Sequence, residues 1–214
     1  TEITNVLVSL DVTLEVFDEA ISKNCNLVIT HHPLIFKGLK KINGNNYVEQ
    51  IVIKAIKNDI AIYAIHTNLD NAFNGVNFKI AETLGLKNIQ ILQQKANTLM
   101  KLTVFVPANN AGDLLNAMYA AGAGEIGNYS NCSFKTLGEG TFKPNQQANP
   151  SIGNRGQIEI VEEARLEVML PAHKQKDVLN AMQKGHPYEE ISYYLHTLEN
   201  FSQEVGAGAI GDLK

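Results

Sequence analysis

Two hydrophobic rhythms alternate through the first hundred residues. Residues 5–10 (NVLVSL), 27–30 and 60–65 (IAIYAI) are short, nearly unbroken apolar runs rich in β-branched side chains, and they predict strands buried on both faces. Between them the apolar positions recur every three or four residues. Val16, Phe17, Ala20 and Ile21 follow a potential Thr13 cap, and Tyr47, Val48, Ile51, Val52, Ala55 and Ile56 follow a Gly- and Asn-containing loop at 37–46, so each set predicts a helix. Residues 75–84 predict a further short helix, closed by Gly85. Strands alternating with helices imply a parallel α/β sheet.

The second hundred residues contain a repeat. Val106-Pro107-Ala108 followed by Asp113-Leu114-Leu115-Asn116-Ala117-Met118 returns as Leu170-Pro171-Ala172 followed by Asp177-Val178-Leu179-Asn180-Ala181-Met182, every pair offset by 64 residues. Each copy has a strand ahead of it (102–106 and 165–170) and an alternating segment behind it (near 129–134 and 191–195). Two tandem βαβ units predict a ferredoxin-like βαββαβ sandwich. The Gly- and Pro-containing stretch at 138–156 predicts a long loop between the copies, of the kind that is usually functional or mobile. The expected organisation is an α/β domain over 1–98, the inserted sandwich over 99–203, and a return into the α/β domain at 204–214, the first seam lying in the polar run before Lys101.

Composition narrows the function classes. A formal charge of -4 argues against a nucleic-acid binder that works through a basic surface. No apolar run approaches the roughly 20 residues of a membrane span, and no signal-peptide pattern opens the chain. Cys25 and Cys132 stand alone, which excludes a disulfide scaffold or zinc finger and suits a reducing cytoplasm. The chain opens at Thr1 without a methionine and stops at Lys214 just after a turn signal, as an interrupted protein would.

Candidate chemistry gathers at the ends of the predicted strands. His31 and His32 follow the second strand, and His66 and Asp70 follow the third. In an open parallel sheet the carboxyl ends of the strands form the ligand crevice. Three imidazoles and a carboxylate converging there are the ligand types of zinc, iron and manganese. Pro33 biases His32 toward extended backbone, so the two adjacent rings can splay toward two ions. Histidines that only hydrogen-bond at strand ends are the competing reading, and the convergence of four ligand types favours metal. Gly122–Gly127 and Gly206–Gly211 both fit G-x-G-x-x-G, but neither lies between a strand and a helix, so neither predicts a dinucleotide site. His173 and His196 read as surface residues, and His186-Pro187-Tyr188-Glu189-Glu190 as either a helix-to-strand turn or a polar edge for a ligand. No nucleophile elbow or phosphate loop is present, and no catalytic residue is assigned.

Several long segments resemble the GTP cyclohydrolase 1 type 2 homologue family, also called Nif-three-like dinuclear-metal proteins. They are Ser9-Leu10-Asp11-Val12-Thr13, the run from Leu27 to Phe36 around His31-His32-Pro33, and Ala64-Ile65-His66-Thr67-Asn68-Leu69-Asp70. In the predicted insertion they are Glu139-Gly140-Thr141-Phe142-Lys143-Pro144, Asn149-Pro150-Ser151-Ile152-Gly153 and His186-Pro187-Tyr188-Glu189-Glu190. The resemblance implies that His31, His32, His66 and Asp70 ligate a centre of two divalent metal ions (zinc, iron or manganese). It implies toroidal homohexamers, and an insertion similar to signalling and copper-tolerance trimers. It also implies an N-terminal helix and a later segment carrying a further His and Glu, none of which this sequence contains. The activity implied is metal-dependent hydrolysis of GTP or a related nucleotide or phosphoester, a small-molecule substrate. The alternative is a non-catalytic metal-binding regulator or scaffold whose insertion binds a small ligand or partner.

Overall fold

Three short strands, β1 (Val6–Ser9), β2 (Leu27–Thr30) and β3 (Ala61–Ala64), form a parallel sheet in the order β1-β2-β3, with Leu7, Val28 and Ile62 in register across it. The computed structural model describes residues 2–202 and 204–213; Thr1, Gln203 and Lys214, which bound three of the expected segments, lie outside the described residues. Helices α1 (Leu14–Ser22) and α2 (Tyr47–Lys57) connect the strands and place Phe17, Ala20, Ile51 and Ala55 in one core with Val28. Burying a side chain the size of Phe17 or Ile51 stabilises the fold by about 1.5–3 kcal/mol.

The expectation of strands buried on both faces is corrected here. Val8 in β1 is 74% exposed and Tyr63 in β3 is 53% exposed. Both lie on the sheet face opposite Leu7, Val28 and Ile62, and α1 and α2 pack into the single core on that other face.

Helix ends follow local rules. Thr13 caps α1 by accepting from Val16 N–H at 3.3 Å. At α2, Asn46 Oδ1 accepts from Glu49 N–H at 2.9 Å, and the Glu49 carboxylate reaches back to Asn43 N–H at 3.0 Å and Asn45 N–H at 3.1 Å. These backbone donors, Asn43 first, hold the Glu49 pKa below its usual value although burial opposes them. Helix α4 (Val76–Thr83), preceded by the single turn α3 (Thr67–Asp70), ends with Gly85 at φ +81°, where Leu86 N–H bonds back to the Ala81 carbonyl.

The second unit is built on the repeat. Strands β5 (Leu99–Pro107), β6 (Ser133–Phe142), β7 (Glu159–Pro171) and β8 (Tyr193–Leu198) form an antiparallel sheet in the order β6-β7-β5-β8, with helices α5 (Ala111–Ala120) and α6 (Gln175–Gly185) between them. This is the ferredoxin-like order. Its core takes matching residues from both copies: Leu102, Val104, Val106, Leu114 and Met118 from the first, and Leu166, Val168, Leu170, Val178 and Met182 from the second.

Two boundaries move relative to the sequence reading. The strand expected near 129–134 starts only at Ser133, because residues 122–132 are consumed by a tight excursion with Gly122, Gly124, Gly127 and Asn131 all at positive φ. It then runs on to Phe142, so the inter-copy loop is shorter than expected. Gly140 can sit mid-strand because a Cβ there would meet Glu163 Oε2 at 2.1 Å; the missing side chain makes room for that buried carboxylate.

A third, two-stranded pairing joins β4 (Lys87–Gln94) to β9 (Gly206–Asp212), which run in opposite directions since Gly206 abuts Gln93 and Gly211 abuts Lys87. The second G-x-G-x-x-G is thus a strand whose glycines permit close approach to a neighbouring backbone. The chain divides into two compact units, one up to Gln90 plus the residues from Gly208, the other Ile91–Ala207, so the divisions fall within β4 and β9. Among the described residues, no helix is long and apolar enough to cross a membrane.

Candidate metal centre

All three parallel strands of the first unit deliver polar side chains at their carboxyl ends. The end of β2 is drawn into a bend at His31 and His32. Ile65 N–H bonds to the Thr30 carbonyl at 2.7 Å, His32 N–H bonds to the Leu10 carbonyl at 3.0 Å, and the Thr30 hydroxyl donates to the His32 carbonyl at 2.9 Å. The backbone around both histidines is therefore tied to its two neighbouring strands. His66 follows β3, and its carbonyl accepts from Leu69 N–H at 3.0 Å, which starts the single turn of α3 and brings Asp70 back toward the strand ends.

The result is a triangle of imidazoles. Ring centres lie 5.1 Å apart for His31 and His32, 5.1 Å for His31 and His66, and 5.8 Å for His32 and His66. One nitrogen from each ring lies within 4.8 Å of the others, a group that could hold a metal ion. Nitrogens on one tetrahedral ion sit about 3.3 Å apart, given metal–nitrogen bonds of about 2.0–2.1 Å. The bound of 4.8 Å is compatible with that spacing. The rings of His31 and His32 are splayed by 61°, although the residues are adjacent in the chain.

Two carboxylates flank the triangle. Asp70 Oδ1 lies 3.7 Å from His31 Nε2, near but beyond hydrogen-bond distance. Asp11, just past the end of β1, was not among the residues singled out by sequence; its Oδ1 lies 2.7 Å from His32 Nδ1. A carboxylate can only accept, so His32 Nδ1 carries a proton, and in the neutral ring the lone pair is then on Nε2. This is the arrangement that orients a metal-ligating histidine. The signal that could have found Asp11 is positional: it stands at the carboxyl end of the first strand, as His31 and His66 do at the second and third. Asp11 is itself fixed, since its carbonyl accepts from the Ser9 hydroxyl at 2.7 Å.

The remaining histidines lie elsewhere in the chain. His173 and His196 are exposed, in the turn before α6 and on β8. His186 is 7% exposed. Its Nδ1 accepts from Tyr188 N–H at 3.1 Å, so Nε2 carries the proton and donates to the Phe105 carbonyl at 2.8 Å. Burial lowers its pKa, with the Phe105 carbonyl opposing.

Over residues 1–214 the sequence matches the family described as Duf34/NIF3 (NGG1p interacting factor 3). The chain belongs to this family. The NIF3-family relatives include a Halalkalibacterium halodurans protein, 46% identical over 212 residues, and a Bacillus subtilis protein, 46% identical over 213 residues, both named GTP cyclohydrolase 1 type 2 homolog. The chain spans 57% of the length of each, while 99% of the chain is matched. Among solved structures, a Bacillus cereus protein related to NIF3 is 47% identical with a TM-score of 0.81, over 99% of this chain and 56% of that one. Staphylococcus aureus protein SA1388 is 32% identical with a TM-score of 0.63, over 100% of this chain and 54% of that one.

Proposed function

We propose that this NIF3-family chain contributes His31, His32, His66 and Asp70 to a centre of two divalent metal ions, and that the centre serves hydrolysis of a small nucleotide or phosphoester. The observation that carries this reading is the three imidazole nitrogens within 4.8 Å of one another at the carboxyl ends of a parallel sheet. The donor set fits a borderline ion such as zinc, iron or manganese, since neutral imidazole and carboxylate suit all three. A divalent ion bound there would supply Lewis acidity and a hydroxide nucleophile near neutral pH. The chain's own residues do the positioning. Asp11 holds the proton on His32 Nδ1 and leaves Nε2 available, and the backbone bonds at Thr30, Leu10 and His66 fix where the rings stand. The names of the relatives support a nucleotide substrate, and GTP is the first to test.

The test pairs metal content with turnover. Dialysed protein is expected to retain divalent metal by elemental analysis, and His31→Ala and Asp70→Ala to lose it together with turnover of a nucleotide and phosphoester panel. Protein that retains no metal would refute the centre. Metal retention without turnover of any panel member would leave a metal-binding regulator and refute the hydrolase.

A further inference from the structure

The three imidazoles of the cluster are not held alike. His32 Nδ1 has Asp11 Oδ1 at 2.7 Å, and His31 Nε2 has Asp70 Oδ1 at 3.7 Å. Among the described residues, the ring of His66 has no hydrogen-bond or ion-pair partner. What meets it from outside the triangle is an aromatic ring. The centre of Phe36 lies 6.1 Å from that of His66, with the two planes crossed at 79°, an edge-to-face pair. His31 and His32 meet the same ring at 67° and 70°. His66 thus stands among three crossed rings, of which Phe36 alone offers no metal ligand.

Phe36 belongs to the strap that leaves β2. Leu34, two residues before it, packs against the core of Phe17, Val28 and Ile51. The far end of the strap is clamped where the buried Glu49 carboxylate takes Asn43 N–H at 3.0 Å and Asn45 N–H at 3.1 Å. Between these anchors Ile35, Leu39 and Ile42 are exposed, and Phe36 is 74% exposed. Core packing therefore does not account for where the Phe36 ring stands; its contact with His66 does.

We infer that Phe36 is the positioning residue for His66, doing by edge-to-face packing what Asp11 does for His32 by a hydrogen bond. The torsion that turns an imidazole about its Cβ–Cγ bond is broad, so a ring without a hydrogen bond is restrained only by what packs on it. A phenyl ring offers no N–H or O–H to a nitrogen lone pair, so it fixes the plane of His66 and leaves that lone pair for an ion. The effect on metal binding rests on the centre proposed above; the ordering of the ring does not. An aromatic pair contributes about three- to tenfold, less than the roughly 10–100-fold of a hydrogen-bonded orienting partner.

Two measurements test this, the first on protein stripped of metal by a chelator. Side-chain NMR relaxation is expected to show the His66 ring of the parent as ordered as that of His32. Phe36→Ala is expected to loosen the His66 ring and leave the His32 ring as it was, and Phe36→Tyr, which keeps an aromatic ring, to behave as the parent. The second measurement is competition with a chromophoric zinc chelator. Phe36→Ala is expected to weaken zinc binding about three- to tenfold, and Phe36→Tyr to stay within about twofold of the parent. In a His66→Ala background Phe36→Ala is expected to cost nothing more, since it acts through that ring. A His66 ring equally mobile with and without Phe36, a zinc affinity of Phe36→Ala within about twofold of the parent, or the same further loss in the His66→Ala background would each overturn the inference. Protein that binds no zinc would refute the metal centre instead, and the order of the His66 ring would still decide whether Phe36 holds it.

Discussion

The contact between Asp11 and His32 makes the sharpest prediction at the histidine cluster. Asp11→Ala removes the carboxylate that holds His32 Nδ1, at 2.7 Å, and frees the ring to turn or change tautomer. Losing such an orienting partner costs roughly 10–100-fold in metal affinity. His32 and Asp11 side chains are 44% and 57% exposed, so water screens the pair and replaces part of the lost bond. The lower end, about tenfold or ~1.4 kcal/mol, is therefore expected. Competition of the protein with a chromophoric zinc chelator measures this, and the imidazole nitrogen resonances report the tautomer independently. Asp11→Asn, which still accepts from Nδ1–H but without charge, should lose less. An Asp11→Ala affinity within about twofold of the parent would refute the orienting role. A loss of about a thousandfold would also refute it, because it exceeds what an orienting partner supplies and would make Asp11 itself a ligand.

Two further outcomes follow from the same geometry. A Cβ at Gly75 would sit 2.1 Å from the Leu69 carbonyl oxygen and 2.9 Å from that of Ala72, so Gly75→Ala must displace the α3 backbone that carries Asp70; a loss of about 1–3 kcal/mol in chemical denaturation is expected, and an unchanged midpoint would contradict it. His186 has a pKa lowered by burial, so the unfolded chain binds its proton more readily; the stability it confers is complete above the unfolded value of about 6.5 and is lost as pH falls from there through the depressed folded value. Thermal melting of chelator-treated protein should therefore decline over that window, and His186→Gln should flatten the decline, whereas equal slopes for both proteins would exclude it.

Much of the fold was legible because local pattern and tertiary outcome agree. The three strand runs, the Thr13 cap and the Gly85 terminus all act within a few residues of themselves. The repeat was legible because core positions recur with it: Leu114 and Met118 are fully buried, and so are Val178 and Met182. What failed to show in the sequence depends on distant backbone. Strand β4 carries a clear alternation only at Ile89 and Ile91, and its partner β9 is a glycine-rich run that looks like a turn until Gly206 is set against Gln93. Asp11 was quoted within a motif but not chosen: its place at a strand end was the available signal, while its contact with an imidazole twenty-one residues away shows only in the fold.

The repeat also shows where the second unit departs from symmetry. The offset of 64 that superposes the two copies sets Phe105 against Met169, and His186-Pro187-Tyr188-Glu189-Glu190 against Gly122-Ala123-Gly124-Glu125-Ile126. Both carbonyls of the first pair need a donor, since each sits beside a helix-to-strand connection. In one copy Gly124 N–H supplies it to Met169 at 2.7 Å; in the other His186 Nε2 supplies it to Phe105 at 2.8 Å. The glycine solution keeps the chain tight, because a Cβ at Gly124 would strike Tyr119 at 2.9 Å. After the histidine, Tyr188 and Glu190 line a cavity. A shared hydrogen-bond requirement is thus met by two different groups, and the residues that follow the imidazole version line a pocket. The G-x-G-x-x-G run and the His-Pro-Tyr-Glu-Glu run, unrelated as sequences, are two answers to one backbone demand.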